Sequence, residues 1–385
     1  MLLDLTFFLI RFIAKIKACL FMESKRLFWI DWLRFLAAFS VVFCHIRGGH
    51  FVEYGMLDPS SKNIVTFLFF AASRLGHEAV VLFFALSGML VGGKLIERAV
   101  SGNLNLTSYF IDRFFRIYVP YFPILLISGL VASKSFDTQN FFVNLAGLQG
   151  VYGGVFVWNN SLWSLSYEIW FYILAGAAAS FLLPKLPNFK IIGFLIIFIL
   201  SISIYLKLDP VYFFCFFVSS FLNLLRLNSL YRYPLLICSV VVCFLLCAIS
   251  QVSSDSKSIE LGFFKNILPD RNTLTIILCV GFCVLIKAVS MFAPQLYFSK
   301  VVEKIGVIAA SFSYSLYLSH LPAIYFLTSI GAFSSEKLNV VDFYSVIVMF
   351  CKILSVFVVS YILYYLFERN TGYLKNQFKY AFSIR

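Results

Sequence analysis

Four ionisable side chains stand out because they interrupt otherwise apolar stretches: Arg34, His45, Glu168 and His320. An imidazole can take a proton from a hydroxyl, and a carboxylate can orient it. A second imidazole can stabilise a developing oxyanion. Arg34 and His45 are eleven residues apart, close to three helical turns, so one helix face presents both about 16 Å apart along the axis. Asp31 lies one turn before Arg34 and can pair with it. Arg113 and Arg116, in Asp-Arg-Phe-Phe-Arg-Ile, share a helix face, and two guanidinium forks suit phosphate. Taken alone, the pair reads first as a positive-inside anchor. Lys287 and Lys352 also fall in apolar runs. Lys287 is near enough to an end to reach the interface, and Lys352 is given no role. Cys44 is no dyad partner for His45, because neighbours on a helix point about 100° apart.

The elements that position these groups must be membrane helices. Of the 385 residues 61% are hydrophobic and only 13% charged, more apolar side chain than a water-soluble domain can hide. The net charge of +13 does not point to nucleic acid, because the basic residues sit between apolar runs, where they set topology and meet lipid headgroups. The nine cysteines lack metal-ligand spacing with histidine, and no metal or resident cofactor is implied. Apolar runs predict an all-α integral membrane bundle of about ten spans, at 30–47, 78–95, 114–132, 161–183, 189–206, 211–225, 233–250, 273–293, 306–330 and 341–367. The apolar segment 64–75 fits no further crossing. With the N-terminus inside, nineteen basic residues fall on inner segments and nine on outer ones, which places both termini in the cytoplasm.

The chain divides into an N-terminal segment 1–29, a membrane domain 30–367 and a cytoplasmic tail 368–385. Residues 7–21 read as an amphipathic helix on the membrane surface. Alternatively, residues 1–21 are an upstream start-site extension, since Met22 opens its own polar leader. At about 1.5 Å per residue across a core of about 30 Å, His45, His320 and Glu168 come to about 22, 21 and 20 Å from the inner face. Three titratable groups at one depth predict one shared polar cavity, with Arg113 and Arg116 at its cytoplasmic mouth.

The motifs that hold these residues resemble the acyltransferase-3 family. Residues 30–45, with Arg34 and a histidine near the end, look like its opening helix. Leu82-Phe83-Phe84-Ala85-Leu86-Ser87-Gly88 looks like its Phe-Phe-x-x-Ser-Gly signature, and Arg113 with Arg116 matches its Arg-x-x-Arg pair. Leu162-Trp163-Ser164-Leu165-Ser166-Tyr167-Glu168 and Ser313-Tyr314-Ser315-Leu316-Tyr317-Leu318-Ser319-His320 are similar to its later elements. Five motifs in order cover nearly the whole chain. In two places it departs: Val81 stands where many members carry an acidic residue, with Glu78 a turn earlier, and Phe-Glu-Arg-Asn (367–370) lacks a proline that often follows.

The resemblance implies transfer of an acyl group, usually acetyl from acetyl-CoA, to a sugar hydroxyl of an envelope or exported glycan, in the inner or plasma membrane. It implies acyl-CoA phosphates on Arg34, Arg113 and Arg116, His45 as base or acyl acceptor, Glu168 orienting an imidazole or touching sugar, and His320 at the oxyanion. Ser87, Trp163, Tyr167 and Tyr317 are the substrate-facing candidates. The partners are acyl-CoA, a glycan or lipid-linked sugar and membrane lipid. A transporter or glycan flippase built on the same intramembrane groups is the alternative from another class.

Overall fold

Within a bilayer a backbone has no hydrogen-bond partner but itself, so apolar runs of this length become helices. The computed structural model describes residues 28–131, 137–183, 187–225, 232–255, 269–292 and 300–383, and the surface helix expected at 7–21 lies outside them. Each of the ten apolar segments contains a helix, and the described residues hold no strand beyond two isolated bridges. Among the described residues, six helical stretches are long and apolar enough to cross a membrane, seven if the pair Val301–Ser311 and Ser313–Ser329, bent by 53°, counts as one span. The chain is an all-α membrane protein. Two apolar helices, Phe189–Tyr205 and Pro210–Leu222, are shorter.

The helices in chain order are α1 (Phe28–His50), α2 (Ile64–Ser73), α3 (Gly76–Ser87), α4 (Lys94–Val100), α5 (Leu106–Val131), α6 (Thr138–Leu145), α7 (Trp163–Ser180), α8 (Asn188–Tyr205), α9 (Pro210–Leu222), α10 (Arg232–Asp255), α11 (Arg271–Phe292), α12 (Lys300–Ser311), α13 (Ser313–Ser329), α14 (Phe343–Leu366) and α15 (Thr371–Ala381). Segment 64–75 resolves as α2, which runs on through α3 and α4 as one apolar stretch, Ile64–Val100. α1 sits centrally and packs on α3, α11, α12, α13 and α14. α8, α10 and α14 turn rows of large apolar side chains outward, including Ile196, Ile199, Val241, Phe244, Leu354 and Val358, the face a lipid solvent requires.

Two irregularities position the site. α3 ends at Ser87 and passes into a wide π turn, Gly88–Gly93, a local underwinding that re-aims the side chains around it. Its glycines let α9 approach: a Cβ on Gly88 would lie 1.9 Å from Ser219 Oγ and 2.6 Å from the Phe216 carbonyl, and one on Gly92 2.0 Å from Ser220 Oγ. In α5, Pro120 and Pro123 lie inside the helix. Pro120 has no N–H to offer the Arg116 carbonyl four residues earlier, which loosens the turn that carries the arginine pair.

Gly88→Ala should therefore lower the stability of the purified protein by about 1–3 kcal/mol through overpacking. Gly193→Ala, where an added Cβ meets nothing within 4 Å, should leave it unaltered. Thermal unfolding of both variants in the same detergent checks the contrast.

Candidate functional site

Two cavities meet inside the bundle. The first, of about 100 Å³, is lined by Arg34 from α1, Ser87 from α3, Arg113 and Arg116 from α5, Glu168 and Tyr172 from α7, and Tyr314 and Tyr317 from α13. Three guanidinium groups thus face one carboxylate. Tyr172 donates to Glu168 Oε1 at 2.5 Å and Ser87 Oγ donates to the same oxygen at 3.4 Å. Arg113 lies over the Tyr172 ring, 5.5 Å from its centroid, and Arg116 over Tyr314 at 5.2 Å. Aromatic faces hold the cations in a low-dielectric setting without neutralising them.

Arg116 has a further partner that fixes its place. Its Nη1 donates to Glu368 Oε1 at 2.6 Å, and the Glu368 side chain is 2% exposed against 43% for Arg116. The other carboxylate oxygen of Glu368 accepts from the Ser315 backbone N–H at 3.0 Å and from Ser315 Oγ at 2.7 Å. Ser315 lies in the first turn of α13, where backbone N–H groups lack helical partners. One buried carboxylate therefore ties the arginine helix to the start of the helix that carries His320. Residues 368–381, expected as a tail, form a short 3-10 turn followed by α15. There Lys375 and Lys379 bridge to Asp112 at 3.2 and 3.4 Å.

The second cavity, of about 410 Å³, is lined by Cys44 and His45 from α1, His77 from α3, Trp163 and Tyr167 from α7, Asp209 and Tyr212 at the start of α9, Arg271 at the start of α11, and Tyr317. His45 opens into it. The His320 ring is fully buried behind, with centroids 5.1 Å apart. His320 Nδ1 lies 2.7 Å from the Tyr317 carbonyl. A carbonyl can only accept, so Nδ1 carries the proton and neutral His320 presents Nε2 as a bare lone pair. That nitrogen is buried and has no hydrogen-bond partner among the described residues. Trp163, Tyr167 and Phe84 surround Tyr212, with ring centroids 5.0, 5.1 and 5.2 Å away.

Val80 and Tyr317 line both cavities and form the wall between them. Tyr317 is held there by its hydroxyl, which donates to the Ser161 carbonyl at 2.8 Å and lies 2.6 Å from Ser164 Oγ.

The structure thus brings His45 and His320 together, and Arg34, Arg113 and Arg116 together. It places Glu168 with the arginines and not in the cavity into which His45 opens. Similar depth did not mean a shared chamber, because Glu168 and Tyr167 are neighbours on α7 and point to different sides: Tyr167 lines the second cavity and Glu168 the first. Ser87 and Tyr317 are at the first cavity, Trp163, Tyr167 and Tyr317 at the second. Cys44 reaches the second cavity beside His45. Lys287 donates to the Asn223 carbonyl at the end of α9, and Lys352 lies over the Phe333 ring at 5.2 Å. Sequence reasoning missed Tyr172, Tyr314, His77, Asp209, Tyr212, Arg271 and Glu368. Tyr172 had a signal, four residues after Glu168 and so on its face.

A family model described as an acyltransferase domain matches residues 27–365. No curated protein and no solved structure matches the chain.

Glu368→Gln should cost about 1–3 kcal/mol of stability, because it exchanges a charged acceptor of Arg116 for an amide while leaving the site buried. Replacing the exposed Glu336 by Gln should cost nothing measurable. Chemical unfolding of the two variants side by side decides it.

Proposed function

This chain belongs to the acyltransferase-3 family, and we propose that it transfers an acyl group, acetyl first among them, from acyl-CoA to a sugar hydroxyl of an envelope or exported glycan. The observation that carries this reading is the pair of cavities back to back across Val80 and Tyr317, guanidinium groups on one side and an accessible imidazole on the other. Arg34, Arg113 and Arg116 suit the phosphates of CoA, with Tyr172 and Tyr314 keeping the cations in place. The thioester end then crosses at the Tyr317 wall to His45.

His45 acts as general base. It takes the proton of the acceptor hydroxyl as that oxygen attacks the thioester carbonyl, and returns it to the departing CoA sulfur. The products are the sugar ester and free CoA thiol. His320, expected from sequence at the oxyanion, is assigned the acceptor's part instead: its Nε2 has no proton to give, and its ring centroid lies 5.1 Å from that of His45. Its lone pair eases the positive charge that His45 carries transiently during transfer. Glu168, held by Tyr172 and Ser87, keeps three like charges together in one chamber while no donor is bound. Trp163, Tyr167 and Tyr212 supply flat faces on which a pyranose ring can stack.

In this reading the arginine chamber opens to the cytoplasm, both termini lie there, the chain crosses the inner or plasma membrane about ten times, and the acceptor enters from the opposite side. The excess of basic residues on the inner segments supports that orientation.

His45→Ala, in protein that inserts normally, should lower transfer of labelled acetyl from CoA to glycan by about 100- to 10,000-fold. Undiminished transfer removes His45 from the chemistry. CoA should raise the thermal stability of the wild type, and Arg113→Ala with Arg116→Ala should abolish that rise. A protein indifferent to CoA is a transporter or flippase instead.

A further inference from the structure

The cavity into which His45 opens is built at the N-terminal ends of four helices. Gly76 and His77 begin α3, Trp163 begins α7, Tyr212 lies in the first turn of α9, and Arg271 begins α11. Helix N-termini carry unsatisfied N–H groups and a partial positive charge. Two of the four are satisfied locally. Asp209 accepts from Val211 N–H at 3.0 Å, and Asp270 from the N–H groups of Asn272 and Thr273. α3 and α7 have no side-chain cap, and the first N–H of α7 donates to the Asn160 carbonyl of the 3-10 turn before it.

Arg271 adds a full charge to that field. Its side chain is exposed, and among the described residues its guanidinium makes no hydrogen bond or ion pair. It also lines, with His77, a smaller neighbouring pocket of about 70 Å³ whose other charged groups are Arg74 and Glu78. Those two offset each other in charge. Asp209, the remaining carboxylate on the main cavity, is committed to the start of α9. The charged or titratable groups that line the cavity are therefore His45, His77, Asp209 and Arg271, beside Cys44, Tyr167, Tyr212 and Tyr317.

We infer that this cavity selects an acceptor bearing an oxyanion, a sugar carboxylate or a phosphate ester, and that Arg271 is the residue that reads it. The inference rests on the assignment of this cavity to the acceptor and adds its chemical class. The seat is set by the junction of this cavity with the smaller pocket at His77 and Arg271, and the second oxygen of Asp209 is left to accept hydrogen bonds from neutral sugar hydroxyls. A guanidinium paired with an oxyanion discriminates by about tenfold against a neutral analogue.

The test compares three acceptors with acetyl-CoA and nanodisc-embedded protein: a glucuronic acid trisaccharide, polyprenyl-phosphate-linked glucose and maltotriose. Wild type should prefer one of the two anionic acceptors to maltotriose by at least tenfold in kcat/KM, and which one identifies carboxylate or phosphate. Arg271→Ala and Arg271→Gln should reduce that ratio toward one, and Arg271→Lys should recover part of it. The same probes, without acetyl-CoA, should raise the thermal stability of wild type but not of Arg271→Ala. A ratio insensitive to Arg271, with transfer still dependent on His45, overturns the inference and leaves the acyltransferase reading standing. Equal loss on all three acceptors also overturns it, since Arg271 then serves the reaction's own oxyanion. Transfer that ignores His45 overturns the reading, while the stability shifts still decide whether Arg271 binds an anion.

Discussion

Everything in this site depends on how positive charge is held inside a membrane. Arg34, Arg113 and Arg116 line one small chamber where little water screens their repulsion. The protein answers with carboxylates placed at distinct depths. Glu168 faces the arginines from α7, braced by Tyr172 and Ser87. Glu368 takes Arg116 directly and spends its second oxygen on the start of α13. Remove the second contact and the helix bearing Tyr317 and His320 keeps only the Tyr314 ring and packing against the arginine helix. The chemistry on one side of the Tyr317 wall and the binding on the other are thereby parts of one framework.

That framework explains why the bundle is irregular where it is. α13 begins after a sharp bend from α12, and the bend creates the free N–H groups that Glu368 satisfies. The π turn after Ser87 lets α3 deliver Ser87 to Glu168 while its glycines accept the close approach of α9. Pro120 loosens α5 just beyond the arginine pair. Straight, regular helices would pack, but they would leave no room for two polar cavities back to back. Each departure from regularity lies within a turn or two of a residue that lines one of them.

The histidine pair shows how burial assigns parts to identical side chains. His45 and His320 have the same chemistry in isolation. The Tyr317 carbonyl fixes the proton of His320 on Nδ1, and complete burial keeps the ring from water. His45 is left facing the larger cavity, where a substrate can reach it. In the proposed reaction the accessible imidazole is the general base and the buried one stays behind it.

Much of this was legible in the chain. Composition required the bilayer as solvent, apolar run length placed the helices, and the cost of burying charge singled out Arg34, His45, Glu168, His320 and the arginine pair. Those inferences are local, because hydropathy and helical repeat act along the chain. Depth along a helix is local too, but direction around it relative to its neighbours is not. Hence Glu168 was placed at the right end of α7 and assigned to the wrong chamber. Glu368 and Arg271 were invisible for the same reason: one lies 252 residues from its partner Arg116, the other joins a cavity assembled from four helix ends. Which polar groups a membrane protein brings face to face is settled only when the helices pack, since in lipid that packing alone decides which charges meet.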